Sequence, residues 1–286
     1  MNWMKRKKSS LDLIEKALDR SLTQKASEPA QIHEALRYAV LGGGKRFRPA
    51  LVLSACEAVG GDPEAALLPA CAVEFIHCYS LIHDDLPALD NDDVRRGKPT
   101  CHRQFGEAIA ILAGDALLTR AFELLSGVRP PERAVSLIRE LSKAAGTEGM
   151  IGGQVADILH SGNGPLAKSG ASTLDYISIH KTGRLIQASA VMGAMVGTCS
   201  EAKRDRIRRY GGAVGLAFQV VDDIMDGDGY LRVMNPGEAR KKVDHLLHQA
   251  CLEARTFGRK GGGLIQLTGL LLKRSQEENL KHVPVA

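Results

Sequence analysis

The sequence lacks the features of a membrane-spanning or secreted protein. No run of 18 residues is both apolar and uncharged, so we expect no transmembrane helix. The basic start, residues 1–10, has no apolar stretch of the kind that a signal peptide needs.

Cysteines and aromatic residues are also scarce. The cysteines show no C-x-x-C spacing, which argues against a zinc site. Most stand in apolar or helical segments, where we expect the reduced core residues of a cytoplasmic protein. Aromatic residues make up 4% of the chain and are not interleaved with the basic ones, although the net charge is +5. Nucleic acid binding is therefore not favoured. The six cysteines are Cys56, Cys71, Cys78, Cys101, Cys199 and Cys251.

Apolar residues recur at helical spacing along most of the chain, and no period-two pattern typical of strands persists. Hydrophobic residues make up 44% of the 286 positions, which is enough for a large core. No stretch looks like a disordered linker between two domains. We therefore predict an all-α protein with a single domain over residues 1–286.

Acidic residues concentrate at the predicted end of one apolar helix. The apolar stretch from Ala66 to Ile82 leads into Asp84 and Asp85, and Pro87 should end the helix near Asp85 because proline cannot continue it. Three further aspartates follow, at positions 90, 92 and 93. Carboxylates at a helix C-terminus are disfavoured by about 0.3–1 kcal/mol each unless a cation binds them. The stretch therefore indicates half of a cation site.

A second apolar helix is predicted to end in the same way. Asp222, Asp223 and Asp226 occupy its last turn, and Gly227 suits the position just after a helix. One cluster alone would be typical of a solvated helix end, but two clusters that each follow a buried helix favour a metal. Carboxylate oxygens suit Mg²⁺, which usually bridges one or two carboxylates to substrate phosphates.

A glycine turn leads into basic residues before another helix. Residues 42–49 read Gly-Gly-Gly-Lys-Arg-Phe-Arg-Pro, and the proline suits the first turn of that helix. The N–H groups of the helix start, with Lys45 and Arg48, predict an anion site. The alternative is a solvated loop, because the turn lacks the strand and the Gly-Lys-Ser/Thr of a P-loop.

Two charged residues stand inside apolar helical segments. A buried charge is costly unless it is paired. We therefore expect Asp115 to be buried in a structural pair and Lys181 to have an anionic partner. Gln154 and Asp157, three residues apart, share one helix face.

Seven stretches, in this order, resemble those of the trans-prenyltransferases, the farnesyl and geranylgeranyl diphosphate synthases. The resemblance covers about Ile32 to Gly227 and is weaker beyond. It implies a helical bundle around a central active-site cavity, and the Mg²⁺-assisted condensation of isopentenyl diphosphate with dimethylallyl or geranyl diphosphate. The stretches are residues 43–49, 74–77, 84–90, 95–100, 152–157, 181–183 and 215–226.

The resemblance also implies roles for single residues. About three Mg²⁺ ions would hold the allylic diphosphate between Asp84, Asp85 and Asp90 on one side and Asp222, Asp223 and Asp226 on the other. Isopentenyl diphosphate would be bound without metal by Lys45, Arg48, His77 and Arg96. The positions similar to those facing the allylic diphosphate or the carbocation are Arg95, Lys181, Thr182 and Gln219, of which Lys181 is counted as catalytic. A homodimer is implied as well.

Product length can be argued from helix geometry. Tyr79 lies five residues before Asp84, about 7.5 Å along the helix axis, so its ring would close the cavity after a few isoprene units. In the family, an aromatic residue here, followed by Ser80 and by two extra residues inside the first acidic motif, resembles bacterial-type farnesyl synthases. We therefore predict farnesyl diphosphate (C15), with the geranylgeranyl product (C20) as the alternative.

One departure from the family pattern leaves other functions open. The lysine-containing segment that normally follows the second acidic motif is missing, so Lys241 or Lys242 would have to substitute for its lysines. A low-activity or regulatory subunit of a heteromeric synthase is one alternative. A di-iron bundle, which needs two Glu-x-x-His pairs, is less favoured because only Glu74 to His77 matches.

Overall fold

The computed structural model describes residues 3–22, 28–160 and 170–276. Its described residues are almost entirely helical, as predicted, and group into two compact units. The first unit comprises Met1–Ala50 and Glu64–Ile138, and the second comprises Leu51–Pro63 and Arg139–Ala286. The prediction of a single domain stays a prediction.

The first unit is built around one apolar helix, α4. The helices that begin in this unit are α1 (Trp3–Ser21), α2 (Ala30–Leu41), α3 (Phe47–Val59), α4 (Leu67–Asp84), α5 (Cys101–Phe105), α6 (Glu107–Ser126) and α7 (Pro131–Ala145). Helix α4 packs against α1, α2 and α6. Eleven of its 18 residues are buried, which explains the apolar run in the sequence.

The second unit is centred on a long helix, α11. Its helices are α8 (Met150–His160), α9 (Ala171–Ile177), α10 (Arg184–Val196), α11 (Glu201–Asp226), α12 (Pro236–Arg255) and α13 (Gly262–Gln276). Helix α11 packs against α10, α12 and α13. Helix α12 starts with a capping box, in which Asn235 and Glu238 exchange side-chain and backbone hydrogen bonds.

The predicted helix ends are confirmed at both acidic clusters. Helix α4 ends at Asp84, with Asp85 as its C-cap, two residues before Pro87. Helix α11 ends at Asp226, and Gly227 takes the left-handed conformation with φ of 71°. Both ends follow from local rules, because proline cannot continue a helix and glycine adopts positive φ without strain.

Two local structures were missed. A small antiparallel hairpin pairs β1 (Val94–Arg95) with β2 (Lys98–Pro99), where we expected no strand. Its turn residues Arg96 and Gly97 both have positive φ, as hairpin turns that match strand twist require. The apolar helical segment that carries Lys181 is interrupted between α9 and α10 by a π-helical turn, Ser178–Gly183. Single π turns inside α-helices often mark functional sites.

The prediction for Asp115 was wrong. Its side chain is 58% exposed, and the His83 Nε2 atom lies 4.0 Å from its carboxylate. Its neighbours Ile111 and Leu112 are exposed as well. The apolar run therefore includes an outward face of α6, so an apolar sequence did not mean burial here.

The free cysteines and the apolar helix fit a core role. Four of the six cysteines are buried, and burial raises the pKa of Cys78 to about 12, which keeps its thiol protonated. By length and composition alone, Pro63–Asp84 would be long enough to cross a membrane, but 67% of that window is buried inside the protein. No other helix in the described ranges meets this criterion.

Candidate active site

The first acidic cluster is assembled by a turn that folds back on the end of α4. The N–H of Asp90 donates to the Asp84 carbonyl at 2.8 Å, and the N–H of Asp92 donates to the Asp85 carbonyl at 3.2 Å. Asp85 is buried, Asp84 is half-buried and Asp90 is exposed. The sequence predicted that these carboxylates share a site, and the backbone brings them to one helix end.

An arginine of the hairpin already neutralises part of this cluster. The Arg95 Nε lies 2.5 Å from Asp85 Oδ1, and its Nη2 lies 3.0 Å from Asp92 Oδ2. Burial raises the pKa of Asp85, and the bond from Arg95 opposes that rise. The cation that this helix end needs is therefore supplied partly by the chain itself.

The basic residues of the first unit surround a histidine. The Arg96 guanidinium bonds to the Gly43 carbonyl, so the hairpin meets the glycine turn that carries the exposed Lys45. Burial, together with the positive charges of Arg48, Arg96 and other arginines, lowers the pKa of His77 well below its usual value. A neutral imidazole among guanidinium groups is a setting that favours a bound anion.

Arg46, which stands between Lys45 and Arg48, has a structural role instead. Its side chain is buried and donates to Glu15 at 2.7 Å, to Glu74 at 2.9 Å and to the Val40 carbonyl at 2.7 Å. Three helices are joined by this one guanidinium. The pairing also commits Glu74 to a structural bond, which removes it as a ligand for the di-iron alternative.

Tyr79 and Ser80 lie one turn before the first acidic cluster. The Tyr79 ring is buried and meets the His83 ring edge-on, with 5.9 Å between centroids. Burial, with a smaller effect of Asp84, raises the pKa of Tyr79 to about 12, so its hydroxyl stays protonated. Ser80 is half-buried and donates to the His77 carbonyl at 2.9 Å.

The second acidic cluster ends α11, and its middle carboxylate is held from two sides. Asp223 accepts from Gln219 Nε2 at 2.7 Å and from the Tyr230 N–H at 3.0 Å. Burial is the main cause that raises its pKa. Asp222 faces Arg274 of α13, with Nη1 at 2.6 Å from Oδ1, and Asp226 is exposed.

The π-helical turn presents two of the predicted residues. Lys181 Nζ lies 2.6 Å from Asp157 Oδ2, which provides the anionic partner that the sequence analysis required. Thr182 donates to Gln219 at 2.8 Å, and Gln219 donates on to Asp223. A hydrogen-bonded chain therefore runs from the π turn to the second acidic cluster.

A glycine on α8 allows this arrangement. A Cβ at Gly153 would stand 2.1 Å from the backbone nitrogen of Lys181, so any side chain there would push α8 away from the π turn. This close approach explains why position 153, just before Gln154 and Asp157, is a glycine.

The short connection after α11 is anchored by a buried tyrosine. Tyr230 is fully buried, and its hydroxyl bonds to Asp175. Lys242 Nζ lies 2.5 Å from the same carboxylate and 4.3 Å from the centre of the Tyr230 ring. Lys242 therefore faces Asp175, whereas Lys241, the other candidate substitute, is exposed.

The acidic clusters fit Mg²⁺ that arrives with a diphosphate. Among the described residues, no group of three or more Asp, Glu, His or Cys side chains is arranged to hold a metal by itself. Mg²⁺ is usually bound by one or two carboxylates together with substrate phosphates and water. Oxygen donors at each helix end, with one carboxylate exposed, match that requirement.

Sequence reasoning missed several partners of the site residues. Asp175 and Tyr230 are 55 residues apart, and Asp222 and Arg274 are 52 apart, so no local pattern links either pair. Helical periodicity in α13 was the one available signal, because Arg274 follows Leu267 and Leu271 on the buried face.

Comparison with known proteins finds a matching family and similar relatives. Residues 29–236 match the family described as polyprenyl synthetase. The chain is 53% identical, over 220 residues, to large subunit 1 of the chloroplastic heterodimeric geranylgeranyl pyrophosphate synthase of Arabidopsis thaliana. That match covers 75% of this chain and 58% of the relative, so the chain spans less than two thirds of the relative's length.

Solved structures are similar over nearly the whole chain. An FPP/GFPP synthase from Zymomonas mobilis is 36% identical with a TM-score of 0.88, covering 94% of this chain and 98% of that one. A putative farnesyl-diphosphate synthase from a Marinomonas species is 39% identical with a TM-score of 0.85, covering 95% and 99%.

Proposed function

This chain belongs to the polyprenyl synthetase family of trans-prenyltransferases, and we propose that it is a short-chain prenyl diphosphate synthase. Its reaction joins isopentenyl diphosphate to an allylic diphosphate. The observation that carries the proposal is the pair of acidic helix ends, Asp84–Asp85 and Asp222–Asp223, each held in place by hydrogen bonds or ion pairs from its own unit.

The residues of the chain divide the work between two diphosphates. Asp84, Asp85 and Asp90, with Asp222, Asp223 and Asp226, would hold about three Mg²⁺ ions, which neutralise the charge that builds on the leaving diphosphate. Arg95, Lys181, Thr182 and Gln219 would orient the allylic substrate. Departure of its diphosphate would leave an allylic carbocation, which the double bond of isopentenyl diphosphate would attack. The tertiary carbocation that forms would then lose a proton, which the released diphosphate can accept, and a new double bond would result.

The second diphosphate would bind to cations of the first unit without metal. Its proposed ligands are Lys45, Arg48, Arg96 and His77. Arg96 lies against the glycine turn. Burial and the nearby arginines lower the pKa of His77, so the neutral imidazole can donate one N–H without adding a charge to be balanced. Arginine guanidinium groups suit phosphate oxygens because their N–H donors match a pair of acceptors.

For the product we propose farnesyl diphosphate, with Tyr79 as the floor of the chain-elongation space. The buried aromatic ring one turn before Asp84 supports C15. The name of the Arabidopsis relative favours C20 as the second candidate. The product of purified enzyme with isopentenyl and dimethylallyl diphosphates, with and without Mg²⁺, decides between them.

A regulatory subunit is the alternative to an active enzyme. The short connection Gly227–Asn235 supports it, and Lys242, which is bound to Asp175, is not placed to replace the missing lysines. The product experiment separates the two functions. A Mg²⁺-dependent prenyl product supports the enzyme, whereas folded protein without turnover favours a regulatory subunit.

We propose a homodimer as the assembly. An exposed apolar stripe on one face of α8, formed by Ile151, Val155, Ile158 and Leu159, supports burial against a second copy. The relative from Arabidopsis is named as part of a heterodimer, which makes a different subunit the competing partner. The mass of the purified protein by light scattering, at twice the chain mass of 30.8 kDa, would support the homodimer.

We propose a cytoplasmic location on the sequence evidence alone. The free cysteines fit a reducing compartment. Fractionation of cells that express the tagged chain tests this, and recovery in an organelle would overturn it.

A further inference from the structure

The last described helix, α13, places a guanidinium on a carboxylate of the second acidic cluster. Arg274 Nη1 lies 2.6 Å from Asp222 Oδ1, and both side chains are largely shielded, at 23% and 27% exposure. The guanidinium also lies over the Phe218 ring, 5.9 Å from its centre. Phe218 and Asp222 are four residues apart, so ring and carboxylate form one surface on α11.

The position of Arg274 is fixed by packing between α13 and α11. Leu264, Leu267 and Leu271 are buried on one face of α13, and Arg274 continues that face by three residues. At the other end, the Tyr210 hydroxyl of α11 donates to the Leu264 carbonyl at 2.8 Å. These contacts align α13 with α11, so the packing of the two helices determines the contact between Arg274 and Asp222.

Under the proposed function, Asp222 also binds Mg²⁺, which is a second cation besides Arg274. A metal ion and a guanidinium compete for the same carboxylate, because each needs the oxygen that faces it and the two positive charges repel each other. We propose that Arg274 is a positioning residue that serves as the internal counter-ion of Asp222 and is displaced from it by Mg²⁺ with diphosphate. The proposal rests on Asp222 being a metal ligand under the proposed function.

In both acidic clusters, an arginine of the chain then pairs with one of the carboxylates. In the first unit, Arg95 pairs with Asp85 from ten residues away. In the second unit, the cation comes from α13, so metal binding at α11 is coupled to the contact that holds the end of α13. Removing the guanidinium should make the carboxylate more available to metal.

Binding of Mn²⁺ in the presence of inorganic pyrophosphate, followed by electron paramagnetic resonance, tests the competition without turnover. We expect Arg274→Gln to bind Mn²⁺ about 2- to 5-fold more tightly than the unaltered chain, the range set by a single ion pair. Arg274→Lys should stay near the unaltered affinity. Arg255→Gln removes the same charge from the end of α12 and should also change nothing.

Unchanged or weaker Mn²⁺ binding by folded Arg274→Gln would overturn the proposal. Asp222→Asn separates this from a failure of the proposed function. If the unaltered chain binds no Mn²⁺ with pyrophosphate, or Asp222→Asn binds equally well, the metal assignment fails. If Asp222→Asn loses affinity while Arg274→Gln matches the unaltered chain, only the counter-ion proposal fails.

A measurement on the unaltered chain covers the case in which Arg274→Gln does not fold. Displacement of Arg274 should loosen the end of α13, so hydrogen exchange of the amides at 272–276 should rise when Mn²⁺ and pyrophosphate are added together. Exchange that stays constant or slows on saturation would overturn the proposal.

Discussion

At the scale of single residues, the candidate residues of each unit are defined by how each charge is balanced. Asp85 and Asp222 each face an arginine, Lys181 faces Asp157, and His77 is kept neutral by burial and by nearby arginines. Carboxylates at two helix ends are therefore tolerated before any metal binds. An acidic cluster in a sequence indicates a cation, but that cation is partly the protein's own.

Replacing Tyr79 with leucine should lengthen the product. The change removes the outer part of the ring and fills most of the space near the backbone, so we expect a shift from C15 towards C20 or longer. The hydroxyl has no hydrogen-bond partner among the described residues, so its loss should cost little stability. Chromatography of the dephosphorylated products measures the shift.

Tyr176→Leu is the matched control, because Tyr176 is an exposed tyrosine of the second unit. It should leave the product length unchanged. An unaltered C15 product from folded Tyr79→Leu would show that another residue forms the floor.

At the scale of secondary-structure elements, the residues next to the second acidic cluster depend on a close approach between α8 and the π turn. Gly153 allows the backbones to meet, Lys181 and Thr182 project from the turn, and Gln219 passes the contact on to Asp223. Gly229 allows a different close approach, between its backbone and a side chain, because a Cβ there would stand 2.0 Å from the Asp223 carboxylate. Close packing of backbone, rather than side-chain chemistry alone, sets these positions.

Gly153→Ala should reduce activity and stability together. The new methyl would overlap the Lys181 backbone, and overpacking of this kind costs about 1–3 kcal/mol. We expect kcat to fall at least about tenfold, because misplacement of groups by about 1 Å can cost two orders of magnitude. Thermal unfolding and steady-state kinetics measure the two effects.

Gly269→Ala provides the control on another helix of the same unit. An added Cβ there meets nothing within 4 Å, and Gly269 is helical and exposed. Its stability should rise by about 0.4–1 kcal/mol, with unchanged activity. Equal behaviour of the two variants would refute the role given to Gly153.

At the scale of the whole molecule, a buried ion pair holds the first unit together. Arg46 joins α1 through Glu15, α4 through Glu74 and the end of α2 through the Val40 carbonyl. Both Arg46 and Glu74 are 2% exposed. Loss of one partner would leave a charge buried without compensation.

Arg46→Gln should therefore be strongly destabilising, by about 3–5 kcal/mol. Arg37→Gln is the comparison, because it breaks the more exposed pair with Asp19 and should cost less than about 1 kcal/mol. Urea unfolding gives both values. The double variant Arg46→Gln with Glu74→Gln should recover part of the loss, and equal losses in Arg46→Gln and Arg37→Gln would contradict this account.

Val155→Glu tests the assembly. A charge in the middle of the exposed apolar stripe of α8 should shift a homodimer towards monomer, which light scattering would show as a fall in mass. Glu148→Gln changes an exposed residue just before α8 and should leave the mass unchanged. A dimer that persists in Val155→Glu would place the interface elsewhere.

The sequence by itself determined the features that depend on neighbouring residues. Pro87 and Gly227 end α4 and α11 where the local rules require, so both acidic clusters stand at helix ends as predicted. The apolar spacing determined the all-α class, and the order of the motifs indicated the family. These signals are local, because they arise from backbone geometry and helical period within a few residues.

The tertiary structure decided which charges meet. Arg46 with Glu74, Lys242 with Asp175, and Arg274 with Asp222 are separated by 28, 67 and 52 residues, and each pair forms only because packing brings its helices together. The same packing exposed Asp115 and placed the π turn against Gly153. A charge is solvated in water, but it is destabilising when it is buried without a partner. Which partner it meets depends on how the helices pack, and the sequence alone does not give that packing.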